Sequence, residues 1–221
     1  MKCKYDIVLF DLDGTISESG AGIQQGMYYA LKSLGIPAQD FTDYLNDYSN
    51  FVGPPIQDTF KILCQMNKLN AENALKYYVQ FYDEQGKHLN KMYKGIDDVL
   101  KELHKSDARV VLCSSKRQKA AEEVVELLKL RKYFDALCGS EDNGWRSEKK
   151  DNIPYAIQSV GGSLNNKIVM IGDTKYDAEG ARLARVDFIG VLYGYGTKEQ
   201  MEKEGASVFA EHPLDLMTLL F

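Results

Sequence analysis

Asp11 and Asp13 stand two residues apart at the end of the apolar run Ile7-Val8-Leu9-Phe10, and Gly14 and Thr15 follow them. Two carboxylates this close repel each other unless positive charge sits between them. A hard divalent cation with oxygen ligands, Mg²⁺ above all, answers that need. Two more apolar runs also end in polar clusters: Arg109–Cys113 runs into Ser114-Ser115-Lys116, and Lys167–Ile171 into Gly172-Asp173 with Asp177 close behind. A fourth cluster, Arg146-Ser147-Glu148-Lys149-Lys150, precedes a helical segment. The combination suits phosphoryl transfer. One aspartate serves as nucleophile and forms an aspartyl-phosphate. The other protonates the leaving oxygen and then activates water. A lysine and the cation neutralise the transferred charge, while hydroxyls and backbone amides at strand ends hold phosphate oxygens. Thr15, Ser114, Ser115, Lys116 and Lys149 are the candidates for that last task.

The elements around these clusters decide whether they meet. The run Ile7–Phe10 has no polar interruption, which predicts a strand buried on both faces of a parallel sheet. From residue 16 to about 92 the texture is helical instead. Ile23, Met27, Ala30, Leu31 and Leu34 recur at three- and four-residue spacing, and Gly35 with Pro37 ends that helix. A short helix is expected at Thr42–Tyr48, opened by Thr42 or Asp40. Another follows Pro54-Pro55 with Ile56, Phe60, Leu63 and Cys64 on one face, and a last one runs from Ala71 to about Gln85. Their tyrosines read mainly as core, whereas Phe51, in the loop before the two prolines, is expected to be exposed. After Tyr93, runs at 109–113, 135–139, 167–171, 188–192 and 207–210 alternate with helical stretches, which means βαβ units and a parallel sheet. The domain division is therefore 1–15 with 93–221 as an α/β core, and 16–92 as an inserted helical bundle. Parallel strands bring the clusters to one rim, at the carboxyl ends where such sheets bind ligands.

Composition narrows the class. The 221 residues, 44% hydrophobic, suffice for one core and a small satellite. The net charge of −5 argues against a nucleic-acid surface. The four cysteines (Cys3, Cys64, Cys113, Cys138) form no C-x-x-C pair and read as free thiols in a reducing compartment. No apolar stretch reaches the ~20 residues that span a bilayer. Met1-Lys2-Cys3-Lys4 leads almost at once into the first strand, so a cytoplasmic protein without membrane or nucleic-acid partners is expected.

Asp11-Leu12-Asp13-Gly14-Thr15 resembles the first motif of the haloacid dehalogenase superfamily of phosphohydrolases, and three further motifs follow in order. The resemblance implies a Rossmann-like core with helices on both faces and a helical cap between the first and second motifs. It is similar in layout to the phosphoglycolate phosphatase and β-phosphoglucomutase branch. It implies that Asp11 is the nucleophile and Asp13 the acid/base, whose backbone carbonyl also binds Mg²⁺. Ser114 matches the second motif, Lys149 or Lys150 the third, with Lys149 preferred, and Asp173 and Asp177 the metal-binding fourth. Glu18 stands where the branch usually has an aspartate, and the third motif lacks its usual proline.

Each cluster also has a plainer reading: an Asp-Gly turn, a helix cap at Asp173 and Asp177, a solvated charge run at Lys149-Lys150. Four motifs in order outweigh these. Gly190, Gly194 and Gly196 read as a loop that only borders the site, and His88, His104 and His212 are too scattered for a triad. The implied substrate is a small phosphorylated metabolite. Alternatives are a sugar phosphomutase and a non-catalytic phosphate-binding protein. The mutase of the branch uses a histidine early in the cap, and Ser19–Ala30 contains none.

Overall fold

A computed structural model of the chain describes residues 2–37, 41–63 and 68–221. Strand β1 (Ile7–Phe10) lies inside a six-stranded parallel sheet, between β4 (Arg109–Arg117) and β6 (Ile168–Gly172). Beyond β4 comes β5 (Ala136–Ser140), and beyond β6 come β7 (Asp187–Val191) and the short edge strand β8 (Phe209–Ala210). In register, Leu9 faces Val111 on one side and Met170 on the other, so β1 is flanked by apolar strands. The pleat splits its side chains. Val8 and Phe10 pack with α5 (Ile96–His104), α6 (Gln118–Leu127) and α10 (Asp215–Leu220). Ile7 and Leu9 pack with α7 (Lys149–Ser159) and α8 (Lys175–Ala184). All four are buried, which is why an alternating pattern is missing from this strand.

The inserted segment holds α1 (Gly20–Ser33), α2 (Thr42–Asn46), α3 (Ile56–Leu63) and α4 (Lys68–Glu84). Ile23, Met27, Leu31, Phe60, Ala74 and Tyr78 form a separate core there, and Ala120 of α6 packs into it from the sheet domain. Helix α1 ends as its sequence requires. Gly35 takes φ +70°, and the Ile36 amide bonds back to the Leu31 carbonyl.

Three details differ from the sequence expectation. Helix α2 stops at Asn46, because Asp47 is extended and its carboxylate accepts from the Ser49 amide at 3.0 Å, opening a separate 3₁₀ turn. Phe51, expected in solvent, is 1% exposed, edge-on to Tyr48 with ring centroids 5.9 Å apart. An antiparallel pair of two-residue strands, β2 (Ser17–Glu18) and β3 (Lys91–Met92), joins the two ends of the insertion, too short to leave a period in the sequence. Asp40 and Cys64 lie outside the described residues, while Cys3, Cys113 and Cys138 are free thiols. Among the described residues no helix is long and apolar enough to cross a membrane.

Phe10 is fully buried against the α5–α6 side of the sheet. Phe10→Ala is expected to lower the unfolding free energy by about 3–5 kcal/mol, read by urea titration. A loss below about 1 kcal/mol would mean that this face is not the packed centre described here.

Candidate active site

The carboxyl ends of β1, β4 and β6 meet on one rim, and α7 brings the fourth cluster to it. Lys149 is the first residue of α7 and 5% exposed. Its Nζ lies 2.6 Å from Asp11 Oδ1, 2.6 Å from Asp177 Oδ1 and 2.8 Å from the Cys113 carbonyl in β4. Lys150, one residue on, is exposed and pairs with Glu148 instead. Helical geometry separates them, since successive residues point about 100° apart. Three residues after Lys149, on the same face, Asn152 donates from Nδ2 to the carbonyls of Ser114 at 2.8 Å and Cys138 at 3.1 Å. It thereby ties α7 to β4 and β5.

Asp11, Asp173 and Asp177 are buried, and each offers an oxygen within 4.8 Å of the other two. Asp177 divides its work. Its Oδ2 accepts from the Thr174 amide at 3.1 Å and hydroxyl at 2.7 Å, capping α8, while Oδ1 meets Lys149. The plainer helix-cap reading thus holds for one oxygen of one residue. Asp173 accepts from the Tyr195 amide at 2.8 Å and the Thr15 hydroxyl at 3.2 Å. Thr15, expected to hold phosphate, is fully buried and spends its hydroxyl on Asp173. The glycine loop after β7 does more than border the site. A Cβ on Gly194 would lie 2.3 Å from the Asp173 Cβ and 2.4 Å from the Gly14 carbonyl, so only glycine admits this approach. The Tyr195 hydroxyl accepts from the Gly20 amide at 2.8 Å, linking that loop to α1. Sequence reasoning missed Asn152 and Tyr195. The one available signal was the helical spacing of Asn152 from Lys149.

Asp13 faces the other way. Both its oxygens accept from Lys116 Nζ, at 2.9 and 3.1 Å, so its carboxylate stands apart from the buried trio, and Lys116 is engaged by Asp13. The Lys116 ammonium also sits 4.3 Å from the centre of the Tyr82 ring on α4. Tyr82 Oη accepts from Asn90 Nδ2 at 2.9 Å, and Asn90 Oδ1 accepts from the Ser17 hydroxyl at 2.8 Å in β2. A cavity of about 110 Å³ opens between the sheet and helices α1 and α4, with Asp11, Asp13, Ser114, Ser115 and Lys116 on its floor.

Charge is unbalanced at this rim. Three buried carboxylates face one buried ammonium, Lys149. Burial, then repulsion from Asp177, raises Asp11 from 3.8 to about 7 although Lys149 opposes the shift. Burial and the charges of Asp177 and Asp11 likewise raise Asp173 well above the carboxylate range. Burial alone would lower Lys149, but Asp11 and Asp177 hold it above the ordinary lysine value. The donor set is hard, anionic and confined to a small space, which fits a divalent cation such as Mg²⁺.

Comparison with known proteins agrees with this geometry. The profile of the haloacid dehalogenase-like hydrolases matches residues 8–191, and the chain belongs to that family. It is a phosphatase of the family by its relatives and structural neighbours. The crystal structure of a predicted phosphatase from Clostridium acetobutylicum superposes with a TM-score of 0.90 and 34% identity, covering 97% of both chains. A 5′-nucleotidase of Pseudomonas aeruginosa is 30% identical over 198 residues, 90% of this chain and 87% of that one. The tyrosine-protein kinase PtkA of Mycobacterium tuberculosis is 28% identical over 204 residues, 91% of this chain and 67% of that protein.

Two outcomes follow from the packing and charge of the trio. In metal-free protein Asp11 stays protonated when folded while it ionises when unfolded, so its contribution to stability is fully present below pH 3.8. That contribution is lost as pH rises through about 7. Chelator-treated protein should therefore lose melting temperature over that window, and Mg²⁺ should restore most of it at pH 8. A metal-free melting temperature that rises across the window would contradict the assignment. Gly194→Ala, which drives a methyl into Asp173, should weaken the Mg²⁺-induced rise by at least about half.

Proposed function

We propose that this chain is a Mg²⁺-dependent phosphatase that hydrolyses a small phosphate monoester through an aspartyl-phosphate on Asp11, with the helical insertion 16–92 as a cap over the site. Lys149 supports this most directly, because one buried ammonium touches Asp11, Asp177 and the Cys113 carbonyl together. An Asp11 carboxylate oxygen attacks phosphorus, and the bond to the leaving oxygen breaks as Asp13 gives that oxygen a proton. Asp13 then takes a proton from water, whose oxygen attacks the phosphorus of the aspartyl-phosphate and frees Asp11 and inorganic phosphate.

Asp11, Asp173, Asp177 and the backbone carbonyl of Asp13 are the residues that would hold Mg²⁺, which when bound neutralises charge on the transferring group. Lys149 adds positive charge beside the nucleophile, and Ser114 and Ser115 supply donors to phosphate oxygens. The Lys116–Asp13 pair fits the half of the cycle in which Asp13 is a base. In the other half Lys116 turns to the phosphate, leaving an Asp13 oxygen free to carry the proton. Cap residues Ile23, Tyr78 and Tyr82 line the cavity opposite Asp13 and exclude bulk water. Hydrolysis is favoured over a mutase because no histidine stands in Ser19–Ala30 to hold Asp13 idle.

Asp11→Asn should abolish hydrolysis of p-nitrophenyl phosphate in the presence of Mg²⁺. The variant should keep the circular dichroism spectrum of the parent and a melting temperature close to the parent's, since Lys149 keeps Asp177 as a partner at 2.6 Å. Activity at a tenth of the parent's, or Mg²⁺-independent turnover in excess chelator, would sink the proposal.

A further inference from the structure

The walls of the cavity carry information about the group released, and this inference rests on the phosphatase reading. On the cap side the wall is made by Ile23, Phe51, Ile56, Leu75, Tyr78 and Tyr82, with Gln57 beside them as an amide. Tyr78 and Tyr82 are stacked, with centroids 5.7 Å apart and planes 21° apart. Burial keeps both hydroxyls neutral, raising them above the ordinary tyrosine value.

Two cations reach the cavity among the described residues, and neither is free. Lys116 is bonded to both oxygens of Asp13 at 2.9 and 3.1 Å. Arg117 Nε meets Asp142 at 3.0 Å and its Nη1 meets Asp83 at 3.5 Å. Glu141 and Asp142 line the cavity from the loop after β5. Beyond the phosphoryl position, then, the surroundings are apolar, aromatic, neutral and polar (Gln57, Ser140, Ser147) or acidic. A second anionic group on the substrate would lie beside Glu141 and Asp142 and would compete with Asp142 and Asp83 for Arg117. A flat, uncharged body meets an apolar wall with two stacked rings.

We infer that the alcohol this phosphatase releases is uncharged and carries a flat or apolar face, as a nucleoside or an aryl alcohol does, and is not a hydroxy acid.

The test is kcat/KM of the purified full chain with Mg²⁺ on the four common nucleoside 5′-monophosphates, p-nitrophenyl phosphate, 2-phosphoglycolate and acetyl phosphate. The best nucleotide or aryl ester should exceed 2-phosphoglycolate by at least about tenfold, because a site rejects a substrate whose charge it leaves unpaired. Leu75→Arg, which installs an unpaired cation on the wall, should shrink that ratio about tenfold. Asp142→Asn, at a side chain 85% exposed and so safe for folding, releases Arg117 from one partner and should move the ratio the same way. Equal or faster turnover of 2-phosphoglycolate overturns the inference and leaves the phosphatase standing. So does turnover of acetyl phosphate alone, or a ratio that neither variant shifts. Silence on every compound, acetyl phosphate included, with folded protein and Mg²⁺ present, overturns the phosphatase reading and this inference with it.

Discussion

The rest of the structure depends on the contact between the Lys149 ammonium and the Asp11 carboxylate, 2.6 Å apart and both buried. Neither group tolerates that burial alone, since an unpaired ion in a protein interior costs several kcal/mol after relaxation. The pairing is also geometrically demanding. It needs the end of β1, the first turn of α7 and the first turn of α8 to arrive within one side chain's reach. A parallel sheet meets the first condition, because β1, β4 and β6 all end on the same edge. The close crossing of α7 and α8 meets the others: a Cβ on Gly180 of α8 would stand 2.4 Å from the Lys149 Cβ. Burial of Ile153, Ala156 and Ile157 against Leu9 and Met170 holds α7 in that position.

The second carboxylate of the first motif is handled by different physics. Asp13 is neutralised by Lys116 from β4, and Lys116 lies against Tyr82 of the inserted helices. Through Tyr82, Asn90 and Ser17 a chain of polar contacts runs from Asp13 to the two short strands that join insertion and core. The acid/base candidate is thus coupled to the insertion's position while the nucleophile candidate is coupled to the rigid core. Two carboxylates separated by one residue would share a face if the strand ran on. But β1 ends at Phe10 and Gly14 takes φ +93°, so the chain leaves the pleat here and the two acids meet unlike environments.

Much of this was legible in the sequence, for reasons that differ by element. Ile7–Phe10 is readable because a strand covered on both faces has no polar side to blur it. Helix α1 is readable because three- and four-residue spacing persists for several turns and ends at a glycine that takes φ +70°. Lys149 and Lys150 are chemically identical as letters. Only the rotation of α7, fixed by its packing, buries one and exposes the other. Thr15 and Lys116 were placed by type, and each was then claimed by a neighbour distant in sequence, Asp173 and Asp13, while Phe51, placed by its loop, turns inward against Tyr48. Asn152 and Tyr195 act through backbone groups, which every residue carries, so no residue type announces the partners they find.

The glycine loop after β7 shows why packing and charge have to be read together. Gly194 lets the chain lie directly on Asp173, and the Tyr195 amide then becomes one of the few donors that carboxylate has. The same close approach keeps water from Asp173, and loss of hydration is the largest cause of its raised pKa. A looser loop would solvate the carboxylates and let them ionise without a counter-ion. The tight one leaves three acids with a single lysine, an arrangement whose anionic form is stabilised far more by a doubly charged cation than by any surface ion pair. Preference for a counter-cation is therefore built into the shell as much as into the carboxylates. It begins with a residue whose only qualification is the absence of a side chain.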